Sequence, residues 1–246
     1  MTRAALTAII GRKGSFWGSL ITALAGVLIT IVIVYIVHER NPADYASAGG
    51  RPLLDAVTAV ILLLGVVIAI VLGALAGSYD VAQGTMRYLL LAGPSRWSIY
   101  ASRTVAVLIA SWLVLLPALV LGLLAAVALP ATSEDALTAR AVGSSVWNVL
   151  LLSGTYALIS MGIGSLLRSN GAAIAIALVI NIGIAPAVGL LSAWNETLGD
   201  LSLPQVLGEL GGSDTSLPLA AAIVAFAFWM ALFLGAGWWR VSKDEY

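Results

Sequence analysis

The chain has 246 residues, of which 61% are hydrophobic and only 10% charged, with a mean hydropathy of +1.03. A soluble domain is about a quarter charged and cannot bury so much apolar surface, so the composition is that of an integral membrane protein. Twelve basic and twelve acidic side chains cancel, and there is no cysteine and one histidine, His38. These counts exclude a net field for nucleic acid, disulfides, thiolate metal sites, thiol catalysis and multi-histidine metal sites. Two lysines against ten arginines suit a high-GC bacterial gene.

Residues 2–13 pair Ala5 and Leu6 with Ile9 and Ile10 and end in Arg12 and Lys13. That pattern predicts an amphipathic helix lying flat on the inner leaflet. Six charge-free intervals follow, each with the roughly 20 apolar residues a helix needs to cross hydrocarbon. They place spans near 16–37, 56–78, 105–129, 142–167, 172–192 and 217–239. The runs are continuously apolar rather than alternating, so barrel strands are excluded. The first is too long for a signal peptide and lacks a small-residue cleavage site after Val37, so it is read as retained.

Basic residues set the orientation. With the N-terminus inside, nine of the twelve fall on inner segments and only Arg40, Arg51 and Arg140 outside. Both termini are therefore expected in the cytoplasm, with the chain in the inner (plasma) membrane. The longest inner connection is 79–103 and the longest outer one 193–216. In the latter, Leu198, Leu201, Val206, Leu207 and Leu210 are spaced as one or two short amphipathic helices broken at Pro204. No repeat or linker divides the chain, which is read as one all-α domain over 1–246.

Neither lysine sits in a phosphate-binding loop, so no nucleotide is hydrolysed by this chain and no catalytic residue is expected. Asp80 and Asp200 fall on opposite sides of the membrane and cannot form a protease dyad. All six spans lack the buried charges of an ion-coupled carrier. Among their polar groups, Asn148 and Asn181 either hydrogen-bond between helices or line a weakly polar substrate route. Gly14/Gly18 and Gly73/Gly77 have the spacing of close helix contacts, explained equally by packing within one subunit. Gly14, Gly18 and Gly171 are the candidates for contact with a second copy. Trp17, Trp97, Trp147, Trp194, Trp238 and Trp239 fall near span ends, as an interfacial belt predicts.

The 79–103 connection is the most informative segment. Gly84 and Gly93-Pro94 bracket one short helix, on which Met86, Leu89 and Leu90 can rest on the bundle while Arg87 faces water. Such a helix suits docking of a soluble partner. In order, Asp80, Gly84, Thr85, Leu89-Leu90, Pro94, Ser95, Arg96 and Arg103 resemble the second-to-third helix connection in permease subunits of the type-2 ATP-binding-cassette exporters. Three departures are Asp80 where glutamate is usual, Pro94 directly before Ser95, and Arg103 where lysine is common. The overall plan of inner helix, six spans and a large last outer loop is similar too.

The resemblance implies the membrane-spanning subunit of an ATP-driven exporter, paired with a second permease copy. Two separate ATPase subunits would bind ATP and magnesium; this chain would hold no cofactor or metal. Asp80, Gly84, Thr85, Arg87, Leu90, Pro94, Arg96 and Arg103 would couple to them, with Asp80, Arg87 and Arg96 at the exposed margins of the docked helix. A secondary carrier or lipid flippase working without ATP is the alternative, and a membrane enzyme or assembly factor a third class. The uncharged spans favour an amphipathic or hydrophobic cargo.

Overall fold

The computed structural model describes residues 2–41, 47–167, 169–184, 199–213, 215 and 217–243. All elements among them are helical: α1 (Thr2–Ile10), α2 (Lys13–Arg40), α3 (Gly50–Ala82), α4 (Met86–Leu91), α5 (Arg96–Ala128), α6 (Ala139–Leu166) and α7 (Asn170–Leu178). The last of these continues as a π-helical turn, Val179–Ile184, and is followed by α8 (Leu203–Leu210) and α9 (Leu219–Lys243). Five helices, α2, α3, α5, α6 and α9, are long and apolar enough to cross a membrane. Of the expected fifth span, 172–192, the described part forms α7 and its π turn, while Pro186 and the rest lie outside the described residues. So do Trp194 and Leu198 of the last outer loop.

The helices run further than the charge-free intervals. α3 and α5 each have 33 residues, about 50 Å at 1.5 Å per residue, against a hydrocarbon core of about 30 Å. Arg51, Asp55 and Asp80 therefore lie within α3 and extend it beyond the apolar stretch.

α3 is the central helix. Its Leu53, Leu54, Val57, Ile61, Ile68 and Leu72 recur at helical spacing and are buried. α2, α5, α6 and α7 pack around it, and α9 closes the bundle against α6 and α5. The α3–α6 seam is the closest. A side chain at Gly73 would collide with the Ala157 carbonyl, one at Gly77 with the Met161 carbonyl, and one at Gly164 with the Ala74 carbonyl. Only glycine admits backbones that near, the mechanism of small-residue packing in lipid. Packing within one subunit thus accounts for Gly73 and Gly77.

α1 bends at Gly11–Arg12 and lies against α5, burying Ile9. At the other end, α8 begins rather than breaks at Pro204, which occupies its first turn where a missing N–H costs nothing. Leu203, Val206 and Leu207 are buried beneath it. Two tryptophans fasten the α8 segment: Trp147 Nε1 donates to the Leu210 carbonyl at 2.7 Å and Trp229 Nε1 to the Leu201 carbonyl at 3.1 Å.

Candidate functional site: the connector between α3 and α5

Glycine ends α3. Gly84 has φ +68°, its N–H donates to the Val81 carbonyl at 3.1 Å, and the Thr85 N–H donates to the Asp80 carbonyl at 2.9 Å. This is a Schellman closure, which satisfies the orphan carbonyls of the last turn. It also explains the spacing of the motif. Folding the chain back brings Thr85 over Asp80, and the Thr85 hydroxyl donates to Asp80 Oδ1 at 3.1 Å. The other carboxylate oxygen, Oδ2, accepts from Arg103 Nη2 in an ion pair whose side chains are 22% and 9% exposed. Arg103 Nη2 also lies 3.6 Å from Met86 Sδ, the buried residue that opens α4. Asp80, Thr85, Met86 and Arg103 are therefore one network joining α3, α4 and α5.

Arg12 belongs to the same cluster, although nothing in the sequence distinguishes it from the other basic residues. Its guanidinium stacks 3.6 Å above the Tyr79 ring and donates to the Leu75 carbonyl at 3.3 Å. Burial lowers its pKa from the usual arginine range, opposed by the negative charge of Asp80. An arginine retains its proton under such conditions, so two cations flank one carboxylate.

Held this way, α4 has an inner and an outer face. Met86 is buried and Leu90 half-buried, whereas Tyr88 and Leu91 are 73% and 75% exposed, and Leu89 and Arg87 are also exposed. Leu89 does not rest on the bundle as the periodicity suggested, because α4 is only six residues long and turns its apolar residues both ways. Gly93, at φ +99°, ends the element, and half-buried Pro94 leads to Ser95, whose hydroxyl caps α5 by accepting from the Ser98 N–H at 3.2 Å.

Arg96 does something the sequence did not indicate. Its Nη1 donates to the Val241 carbonyl at 3.1 Å and the Ser242 carbonyl at 2.9 Å, at the C-terminus of α9. A cation there satisfies terminal carbonyls and complements the helix dipole. Next to it Trp97 packs edge-on against Trp238, 5.0 Å between centroids.

The remaining candidates lie elsewhere. Asn181 sits on the π turn, 2% exposed; its amide donates to Ser160 Oγ at 3.3 Å and the Ala177 carbonyl at 2.7 Å, while its Oδ1 has no partner among the described residues. It therefore bonds between α7 and α6. Asn148 lines a cleft beneath α8. Gly14, Gly18 and Gly171 lie on exposed surface, where an added Cβ would meet no atom of the described residues within 4 Å. Among the described residues, no three His, Cys, Asp or Glu side chains come together.

No curated protein and no solved structure matches the chain. Residues 26–246 match the model of a family described as "Protein of unknown function (DUF2705)", and the chain belongs to that family.

Proposed function

We propose that this chain is the membrane-spanning subunit of an ATP-driven exporter, working as a pair of permease copies with two separate ATPase subunits docked at α4. The observation that carries the reading is the connector. A short helix is fixed to the bundle by a buried ion-pair network, yet it turns Tyr88, Leu89 and Leu91 away from its own protein. Exposed aromatic and aliphatic groups on a rigid support suit a protein partner. The order of connector residues, resembling that of type-2 exporter permeases, names the kind of partner. ATP and magnesium are bound by that partner, and this chain supplies the path and the lever.

The same reading completes the topology. The 172–192 segment crosses as the fifth of six spans, both termini and α4 face the cytoplasm, and the chain resides in the inner membrane with its basic excess inside. Gly14, Gly18 and Gly171, open on the surface, are where a second copy approaches. The experiment is co-expression with a Walker-motif ATPase encoded beside it, purification of the complex, and ATP hydrolysis in proteoliposomes. Hydrolysis coupled to export by the complex is the expected result. Transport by this chain alone on an ion gradient would replace the reading with a secondary carrier.

A further inference from the structure

At the end of the bundle opposite α4, a cleft of about 280 Å³ opens between α3, α6 and α8. Asn148, Leu152 and Tyr156 line it from α6, at positions four apart that fall on one helix face. Leu62 of α3 and Leu207 of α8 supply further apolar wall. The Asn148 amide and the Tyr156 hydroxyl have no hydrogen-bond partner among the described residues. Neither polar atom is fully enclosed, so both are open to a partner that enters the cleft. Irregular backbone at 211–213 covers the same cleft. Gly211 keeps it open against α6, since a side chain there would come within 2.5 Å of Asn148 Oδ1.

We propose that this cleft binds an uncharged amphipathic molecule. Its hydroxyl, carbonyl or amide engages Asn148 and Tyr156, and its hydrocarbon lies against Leu62, Leu152 and Leu207. Among the described residues no Asp, Glu, Lys, Arg or His lines the cleft, so a charged head group entering it loses hydration without a counter-charge from them. The volume is just below the usual range for small-molecule sites, so a head group and the start of a chain fit while the remainder extends through the open side. As the substrate class of the proposed exporter, the assignment rests on that reading, but binding itself requires no ATPase.

The test uses the full-length chain alone in nanodiscs and three photoreactive diazirine probes of equal medium chain length: an alkyl alcohol, an alkyl ammonium and a fatty acid. The alcohol should label peptides containing 148–156 and 203–211 saturably, with competition by unlabelled alcohol and at least tenfold weaker labelling by both charged probes. Tyr156→Phe, which retains the ring, and Asn148→Leu should each raise the half-saturating concentration about fivefold, the loss of one neutral hydrogen bond. If Asn148→Leu does not insert, Tyr156→Phe decides alone. Labelling that does not saturate, is equal for the charged probes, or is unchanged in the variants would overturn the proposal and leave a water-filled vestibule. Absence of an ATPase partner would remove the exporter reading without touching this result.

Discussion

Arg12 lies over the ring of Tyr79, 3.6 Å from its centroid, and so pins the α1–α2 bend to the residue next to Asp80. The amphipathic N-terminal helix and the connector are thereby one mechanical unit, though 67 positions separate the two side chains. Arg12→Ala removes both the cation–π contact and the bond to the Leu75 carbonyl. It should destabilise the detergent-solubilised protein by about 1–2 kcal/mol and increase hydrogen exchange in α1. Arg12→Lys retains charge without the planar stack and should fall between. Unaltered exchange in α1 would show that the bend holds itself.

The Asp80–Arg103 pair should be sensitive to losing one member. Asp80→Asn leaves a guanidinium that is 9% exposed without its counter-charge. Because Asp80 retains some water contact, the expected cost is about 2–3 kcal/mol rather than the larger penalty of a fully buried pair. Replacing both with apolar residues should cost less than the sum of the single changes. Thermal unfolding of the four species in a double-mutant cycle measures this coupling.

Arg96 and the exposed face of α4 should separate experimentally. Arg96→Gln unfastens the C-terminus of α9 and should lower stability by about 1–2 kcal/mol, with increased exchange over the last turn of α9. Tyr88→Ala and Leu91→Ser touch nothing buried, so stability should change by under about 0.5 kcal/mol. Under the proposed function, these two weaken ATPase binding at least tenfold, read by titration of the purified partner. An Arg96 variant that lost the ATPase at unchanged stability would place that residue in the docking surface after all.

Glycines of the two kinds should behave oppositely. Gly77→Leu drives a side chain into the backbone of α6 and should abolish folded protein, read by monodispersity in detergent. The Cβ of Gly18→Leu has open space among the described residues, so the change should leave the subunit inserted while lowering dimer recovery. Equal dimer yield for Gly14, Gly18 and Gly171 variants would remove that face from the interface.

Sidedness is measured with single cysteines. Under the proposed topology, Ser95→Cys and Ser242→Cys react only from the cytoplasm and Ser213→Cys only from outside. Labelling of Ser95→Cys from outside would reject it.

Much of the architecture was legible because lipid imposes a simple rule: a charge-free run of sufficient length must be a helix. The same rule misjudged the ends. It detects hydrocarbon, not helix, so it stopped α3 before Asp80 and missed the length of α5 around Arg103. The connector was legible in its turn chemistry, since Gly84 and Gly93 mark required positive φ. Its tertiary partners were not. Arg12 reaches Tyr79, and Arg96 reaches Val241, across separations that no local pattern encodes. Trp147 has the position of a belt residue, yet it also anchors α8 through its N–H. Asn181 and Asn148 looked alike in sequence; only the neighbours decide that one bonds to Ser160 while the other faces a cleft.

The glycine seam between α3 and α6 has a mechanical corollary. Where backbones touch, no side chains remain to slide or compress, so the two helices turn together as a stiff beam with little internal give. A beam about 50 Å long that pivots near its middle by about 10° moves each tip by roughly 4 Å, in opposite senses. A displacement applied beside Asp80 would therefore reappear, reversed, near Leu53, beyond the wall that Leu62 gives the cleft under α8.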